Sequence, residues 1–186
     1  MTATTLEREA APQSRESRFA ERYTLDDLAR MNTAELEACY RNGSVPESLR
    51  VLDGSPASRM LAVVGLQFGP VPTTVRRVAA AGWFPWRGKS FKAITDDKGT
   101  GINRVRLAFG VRDLFGFDTR IEPSAVDGKP CILLDYDKPN NPRVIRAIRD
   151  ELREVSPGVF LGPAMLQLRG GSRLFCHFAV DTNRSS

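Results

Sequence analysis

Val159-Phe-Leu-Gly-Pro-Ala-Met-Leu-Gln-Leu-Arg169 and Ser172-Arg-Leu-Phe-Cys-His-Phe-Ala-Val-Asp181, joined by Gly170-Gly171, decide how this chain folds. Two apolar runs of strand length around a Gly-Gly pair read as a hairpin with a tight turn. A long hairpin of this kind predicts a sheet that curves back on itself around an interior.

Working outward, Ser156-Pro157-Gly158 separates the hairpin from Arg143–Val155, where Val144, Ile145, Ile148, Leu152 and Val155 recur at helical spacing. Arg143, Arg146, Arg149, Asp150, Arg153 and Glu154 occupy the other face of that helix and read as a solvated, ion-paired surface. The spacing predicts one amphipathic helix ahead of the hairpin. Before it, Pro139-Asn-Asn-Pro142 breaks the apolar strand Cys131–Asp137.

Further upstream, Leu49–Asp53, Met60–Leu66, Lys89–Thr95, Ile102–Phe109 and Phe115–Ile121 read as strands. Asp96-Asp-Lys-Gly99 and Asp127-Gly128 supply turns. Thr73–Ala81 has helical composition and ends at Gly82, just before Trp83-Phe-Pro-Trp86. Thr24 with Asp26 and Asp27, then Asn32 with Glu35, mark the starts of two short helices. Asn42-Gly43 stops the second. Residues 1–22 are polar and aperiodic, a flexible leader to a single domain over 23–182. About eight strands with short turns, and no alternating β-α-β pattern, predict a mainly β chain: an antiparallel barrel with N-terminal helices.

Composition narrows the function classes. With 41% apolar and 26% charged residues, and no apolar run near the ~20 residues of a membrane span, the chain reads as globular. No export segment opens it, so a cytoplasmic location is expected. Cys39, Cys131 and Cys176 form no Cys-x-x-Cys pair and suggest neither a disulfide framework nor zinc. The net charge of +5 is spread along the chain among acids, and no nucleic-acid-binding motif accompanies it. Neither a cofactor loop nor a metal-ligand set is present, and no cofactor is expected.

Three groups carry candidate chemistry. Trp83, Trp86 and Phe91 can stack on a planar ligand while Arg87 holds an anionic end; otherwise they plug a corner of the core. His177 is the chain's one histidine, and strand alternation separates it from Cys176, Phe178 and Val180. It faces a cavity as a general acid or base, or solvent. Asp135 and Asp137 share one strand face about 7 Å apart, with Tyr136 on the other. They serve proton transfer if desolvated, or cap the strand end if not. Asn103 can orient a ligand by hydrogen bonding inside a barrel.

Trp86-Arg-Gly-Lys-Ser-Phe91 and Arg149-Asp-Glu-Leu-Arg-Glu-Val-Ser-Pro-Gly-Val-Phe-Leu-Gly162 resemble strings found in uncharacterised bacterial lipocalin-like (calycin-type) proteins, over roughly residues 45–181. The resemblance implies a lipocalin-like barrel, a fold whose eight strands can surround one small ligand. Three functions are compatible with these readings. The first is binding of a hydrophobic, lipid- or polyketide-like molecule. The second is a cofactor-independent cyclase or isomerase using His177, Asp135 or Tyr136 as proton carrier. The third is a protein-interaction domain with the leader 1–22 and helix 143–155 as docking elements, and an oligomer is compatible with any of the three.

Overall fold

The structure, a computed structural model, describes residues 22–63 and 86–185. Eight strands form one antiparallel sheet: β1 Pro56–Val63, β2 Trp86–Ala93, β3 Lys98–Leu107, β4 Gly110–Pro123, β5 Pro130–Asp135, β6 Ile148–Ser156, β7 Val159–Leu168 and β8 Gly171–Ser185. Their order is β1-β8-β7-β6-β5-β4-β3-β2, so the chain meanders from β2 to β8 and returns β1 to the free side of β8. The predicted closing hairpin is present, with Leu168 opposite Gly171.

The two outer strands, β1 and β2, come together and nearly close a barrel. Gly54 and Phe91 exchange backbone hydrogen bonds of 3.0 and 2.8 Å just before β1. Ser55 and Ser90 hydroxyls meet at 2.8 Å. Gly88 lies in the left-handed region, and a Cβ there would stand 2.8 Å from Ser58 Oγ. Only glycine allows that approach at the seam.

Strand alternation sorts the side chains. Phe91, Phe117, Ile132, Leu134, Tyr136, Leu152, Phe160 and the predicted trio Cys176, Phe178 and Val180 fill the interior as one core. A second cluster lies outside the barrel wall, where Val155, Val159, Leu161 and Ala179 pack beneath two helices, α1 Leu25–Arg30 and α2 Thr33–Asn42. Both helices start as predicted: Thr24 and Asn32 form capping boxes with Asp27 and Glu35. Each such cap contributes about 1 kcal/mol.

The α2 helix is fastened by a polar network. Tyr40 donates to Glu151 at 2.6 Å, and Glu151 also accepts from Ser124, the Ala125 amide and Arg149. Burial alone would raise the Glu151 pKa, but those donors outweigh it and hold the carboxyl low. Arg153, fully buried, stacks 4.5 Å from the Tyr40 ring and makes a two-pronged pair with Asp127.

Two sequence expectations are corrected. The helix over Arg143–Val155 exists only as one turn, α3 Arg143–Arg146; from Ile148 the chain is a strand. Residues 150–156 are all buried, so their charges are not a solvated face. Asp150, Glu151 and Arg153 instead bond to partners from other elements, and tertiary pairing made strand affordable where local charge pattern favoured helix. The strand expected over Leu49–Asp53 is a 3-10 turn, Leu49–Leu52. It tucks Leu49 and Leu52 into the interior core and closes one end of the barrel, where the Leu49 amide donates to the Asp96 carbonyl at 2.7 Å. The helix expected over 73–81, Trp83 and residues 1–21 lie outside the described residues.

At the opposite end of the barrel stand the end of β1, the start of β2, the β3–β4 and β7–β8 turns, and α3. Among the described residues no helix is long and apolar enough to cross a membrane.

Candidate functional site

The barrel interior holds an ionised cluster between its apolar layers. Lys89 on β2, Asn103 on β3, Tyr136 just beyond β5 and Asp150 on β6 all point inward, because each sits in register with apolar interior neighbours such as Phe91, Leu134 and Leu152. Lys89 and Asn103 are direct cross-strand partners. Lys89 and Asp150 are each only 3% exposed.

Hydrogen bonding in the cluster is almost fully accounted for. The Lys89 ammonium donates to Asn103 Oδ1 at 3.0 Å, Tyr136 Oη at 2.5 Å and Asp150 Oδ2 at 2.9 Å. Its three donors are then used. Tyr136 donates to Asp150 Oδ2 at 3.0 Å and accepts from Asn103 Nδ2 at 3.1 Å. Asn103 Oδ1 also accepts from Trp86 Nε1 at 3.0 Å, and Asn103 Nδ2 donates to the Phe115 carbonyl at 3.2 Å. Asp150 Oδ1 is the exception: it is buried and has no partner among the described residues.

Local backbone geometry sets the Asn103 orientation. The β3–β4 register shifts between Ile102 and Asn103, leaving Phe115 as an extra residue with φ +59. A phenylalanine in the left-handed region is strained by roughly 1–2 kcal/mol. The bulge turns its carbonyl toward the Asn103 amide, so that the amide oxygen faces Lys89 and Trp86.

Aromatic rings enclose the ammonium. Phe178, Tyr136, Phe117 and Trp86 have ring centroids 4.8, 5.2, 5.3 and 5.5 Å from Lys89 Nζ. Cation–π attraction of up to about 2 kcal/mol offsets part of the several-kcal/mol cost of removing a charge from water. Burial, and then the Asp150 carboxylate, raises the Tyr136 pKa well above its ordinary value, so the phenol keeps its proton. The same layer is small on β7 and β8, where Ala164 and Cys176 stand across from each other and next to Asp150. Burial, with Asp150 adding, pushes the Cys176 thiol up to about 12, so it packs as a small apolar group.

The sequence-predicted residues are divided by the barrel wall. Trp86, Phe91, Asn103 and Tyr136 come together inside. Arg87 is exposed on the outside, and it is Lys89 that carries positive charge inward. Asp135 faces outward and pairs with Arg120 at 2.9 Å. Its burial raises its pKa, yet the Asp137 amide and Arg120 lower it overall. His177 is also outward-facing, opposite Pro163 on β7 and near Glu37 of α2, with Nδ1 unpartnered among the described residues. Neither Asp135 nor His177 reaches Tyr136, and Trp83 lies outside the described residues.

The sequence reading puts Asp150 on the solvated face of a helix, and Lys89 beside Arg87 as a second cation for a ligand carboxylate or phosphate. The available signal was period two: Ile148, Asp150 and Leu152 place the acid on the apolar face of a strand. The helical spacing of Val144 to Val155 concealed it. Among the described residues no group of three His, Cys, Asp or Glu side chains could hold a metal ion. Comparison with known proteins adds no relative: no family model, no curated protein and no solved structure matches the chain.

Proposed function

We propose that the barrel interior binds a neutral, largely apolar small molecule, lipid- or polyketide-like, whose hydroxyl or other donor pairs with Asp150 Oδ1. The observation that carries this is the buried, unpartnered Oδ1 in an otherwise saturated polar cluster. A buried acceptor without a donor costs about 1–3 kcal/mol, which a ligand hydroxyl would recover. The rest of the ligand would meet the aromatic rings and the small wall of Ala164 and Cys176. Buried ion pairs contribute little net stability compared with an apolar replacement, so stability does not explain the cluster. The eight-stranded barrel and the resemblance to lipocalin-like proteins support the same reading.

Asp150 already neutralises Lys89, so a ligand carboxylate would meet its negative charge rather than a free cation. The test is fluorescence titration. Trp86 donates to Asn103 and lies over Lys89, so its emission reports on the cluster. A long-chain alcohol is expected to bind more tightly than the matching alkane or carboxylate. Equal binding of all three, or none of any, overturns the assignment.

One observation favours a second reading, a cofactor-independent cyclase or isomerase. The Tyr136 phenol keeps its proton beside an ammonium, a combination suited to stabilising a developing oxyanion. With His177 and Asp135 outside the wall, Tyr136 would be the proton-bearing group. Loss of turnover with retained ligand binding in Tyr136→Phe would support it; unchanged product formation would sink it.

A further inference from the structure

The fold gathers arginines that are dispersed in the sequence. Arg104, Arg106 and Arg112 flank the β3–β4 turn, Arg169 and Arg173 flank the β7–β8 turn, and Arg143 opens α3. All three segments lie at the end of the barrel opposite the 3-10 turn. Within them the acid is Asp113, which stands directly across from Arg104, while Arg146 pairs with Asp137. The 3-10 end is mixed instead: Asp53, Asp96 and Asp97 are exposed there beside Arg50, Lys92 and Lys98, and Arg50 pairs with Asp96 at 3.3 Å.

The β3–β4 hairpin projects from the cationic end. Strand β2 pairs with β3 only as far as Val105, and β5 pairs with β4 only from Asp118 onward. Residues 104–107 pair with 110–113, and 106–113 are exposed on both faces of this two-stranded ribbon. At its tip Phe109 is 92% exposed, with Leu107 and Val111 exposed on either side. A ribbon with apolar residues at its tip and arginines along its flanks is costly in water alone.

We propose that this end of the barrel docks on the surface of an anionic phospholipid bilayer. Phe109, Leu107 and Val111 would enter the headgroup–acyl boundary, while Arg106 and Arg112 would meet lipid phosphates, with Arg169, Arg173 and Arg143 adding long-range attraction. Charge complementarity selects an anionic surface, and the aromatic tip selects a bilayer over a nucleic acid, whose backbone offers that side chain no apolar phase. The interaction is independent of the interior cluster, but would place a barrel with an apolar ligand beside the phase from which such ligands come.

The full chain is tested by vesicle co-sedimentation, with phosphatidylglycerol-containing vesicles compared with pure phosphatidylcholine. Binding is expected to the anionic vesicles and to fall several-fold between about 50 and 500 mM salt, as the screening length shrinks. Arg106→Glu with Arg112→Glu should lower partitioning about tenfold or more, from the contribution of each basic residue near the surface. Phe109→Ser should weaken binding while leaving the thermal midpoint unchanged, since the side chain touches little else. Lys89→Met with Asp150→Leu should retain it, which separates this surface from the interior site. Equal binding to both vesicle types overturns the proposal, as does indifference to the arginine changes. So does binding of duplex DNA that tracks the arginines while Phe109→Ser has no effect on either partner.

Discussion

Lys89 Nζ lies 2.9 Å from Asp150 Oδ2, although β2 and β6 are separated in the sheet by β3, β4 and β5. The pair therefore crosses the interior and exists only because the sheet curls until its edges meet. Its two charges, 61 residues apart in the chain, are held within rings supplied by β2, β4, β8 and Tyr136 just beyond β5.

Removing one partner should be much worse than removing both. Lys89→Met or Asp150→Leu alone leaves an uncompensated buried charge and is expected to cost about 3–5 kcal/mol. Lys89→Met combined with Asp150→Leu should recover most of that stability while abolishing the preference for a hydroxylated ligand. Urea denaturation of the four proteins measures the cycle. Additive losses in the double variant would show that the ion pair is not the coupled unit described here.

Gly162 should be irreplaceable and Gly170 tolerant. A Cβ at Gly162 would fall 1.5 Å from the Glu151 carbonyl oxygen, whereas nothing stands within 4 Å of one at Gly170. Gly162→Ala is expected to cost at least about 3 kcal/mol, beyond ordinary overpacking, since backbone rather than a side chain must move. Gly170→Ala should stay within about 0.5 kcal/mol, as surface changes do. Thermal melts of the two variants decide it.

Acid should loosen the contact between α2 and the barrel through Asp127. Hydrogen bonds from Arg153 lower its pKa from 3.8 to about 2. A folded-state value below the unfolded one adds stability that is complete above about pH 4 and lost as pH falls toward 2. Denaturant midpoints of the parent should drop over that interval. Asp127→Asn should start lower at neutral pH and show a shallower drop.

His177 should also lower stability in acid, but in a higher window. Its burial depresses the pKa below 6.5, with Glu37 opposing the shift. Below about pH 6.5 the unfolded chain takes up a proton that the folded chain resists, so stability falls as pH falls. One such proton gives a slope of at most about 1.4 kcal/mol per pH unit. His177→Leu should flatten the curve between pH 6.5 and 5; an unchanged slope would mean that other groups produce it.

Thiol reactivity should divide one to two. Burial, with Glu151 adding, pushes the Cys131 thiol up to about 12, and Cys176 is raised equally. Cys39, on α2, is only partly buried. A chromogenic disulfide reagent is expected to label Cys39 rapidly and the other two only after denaturant is added. Fast labelling of all three in native protein would contradict the core placement of Cys131 and Cys176.

What the sequence determined by itself was whatever rests on neighbours in the chain. The caps at Thr24 and Asn32 act over three residues, the hairpin signalled by Gly170-Gly171 turns at Arg169-Gly170 between adjacent strands, and Cys176, Phe178 and Val180 share a face through backbone pleat alone. The tertiary structure decided the rest. Arg149 to Glu154 carry a charge pattern suited to a helix surface, and they form a strand because Lys89, Tyr40, Ser124 and Asp127 arrive from distant segments to satisfy them. The same closure placed Tyr136 inside with Lys89, left Asp135 and His177 outside, and collected scattered arginines at one end. Such pairings span tens of residues, and their free energy depends on burial and the low dielectric that only the closed barrel creates.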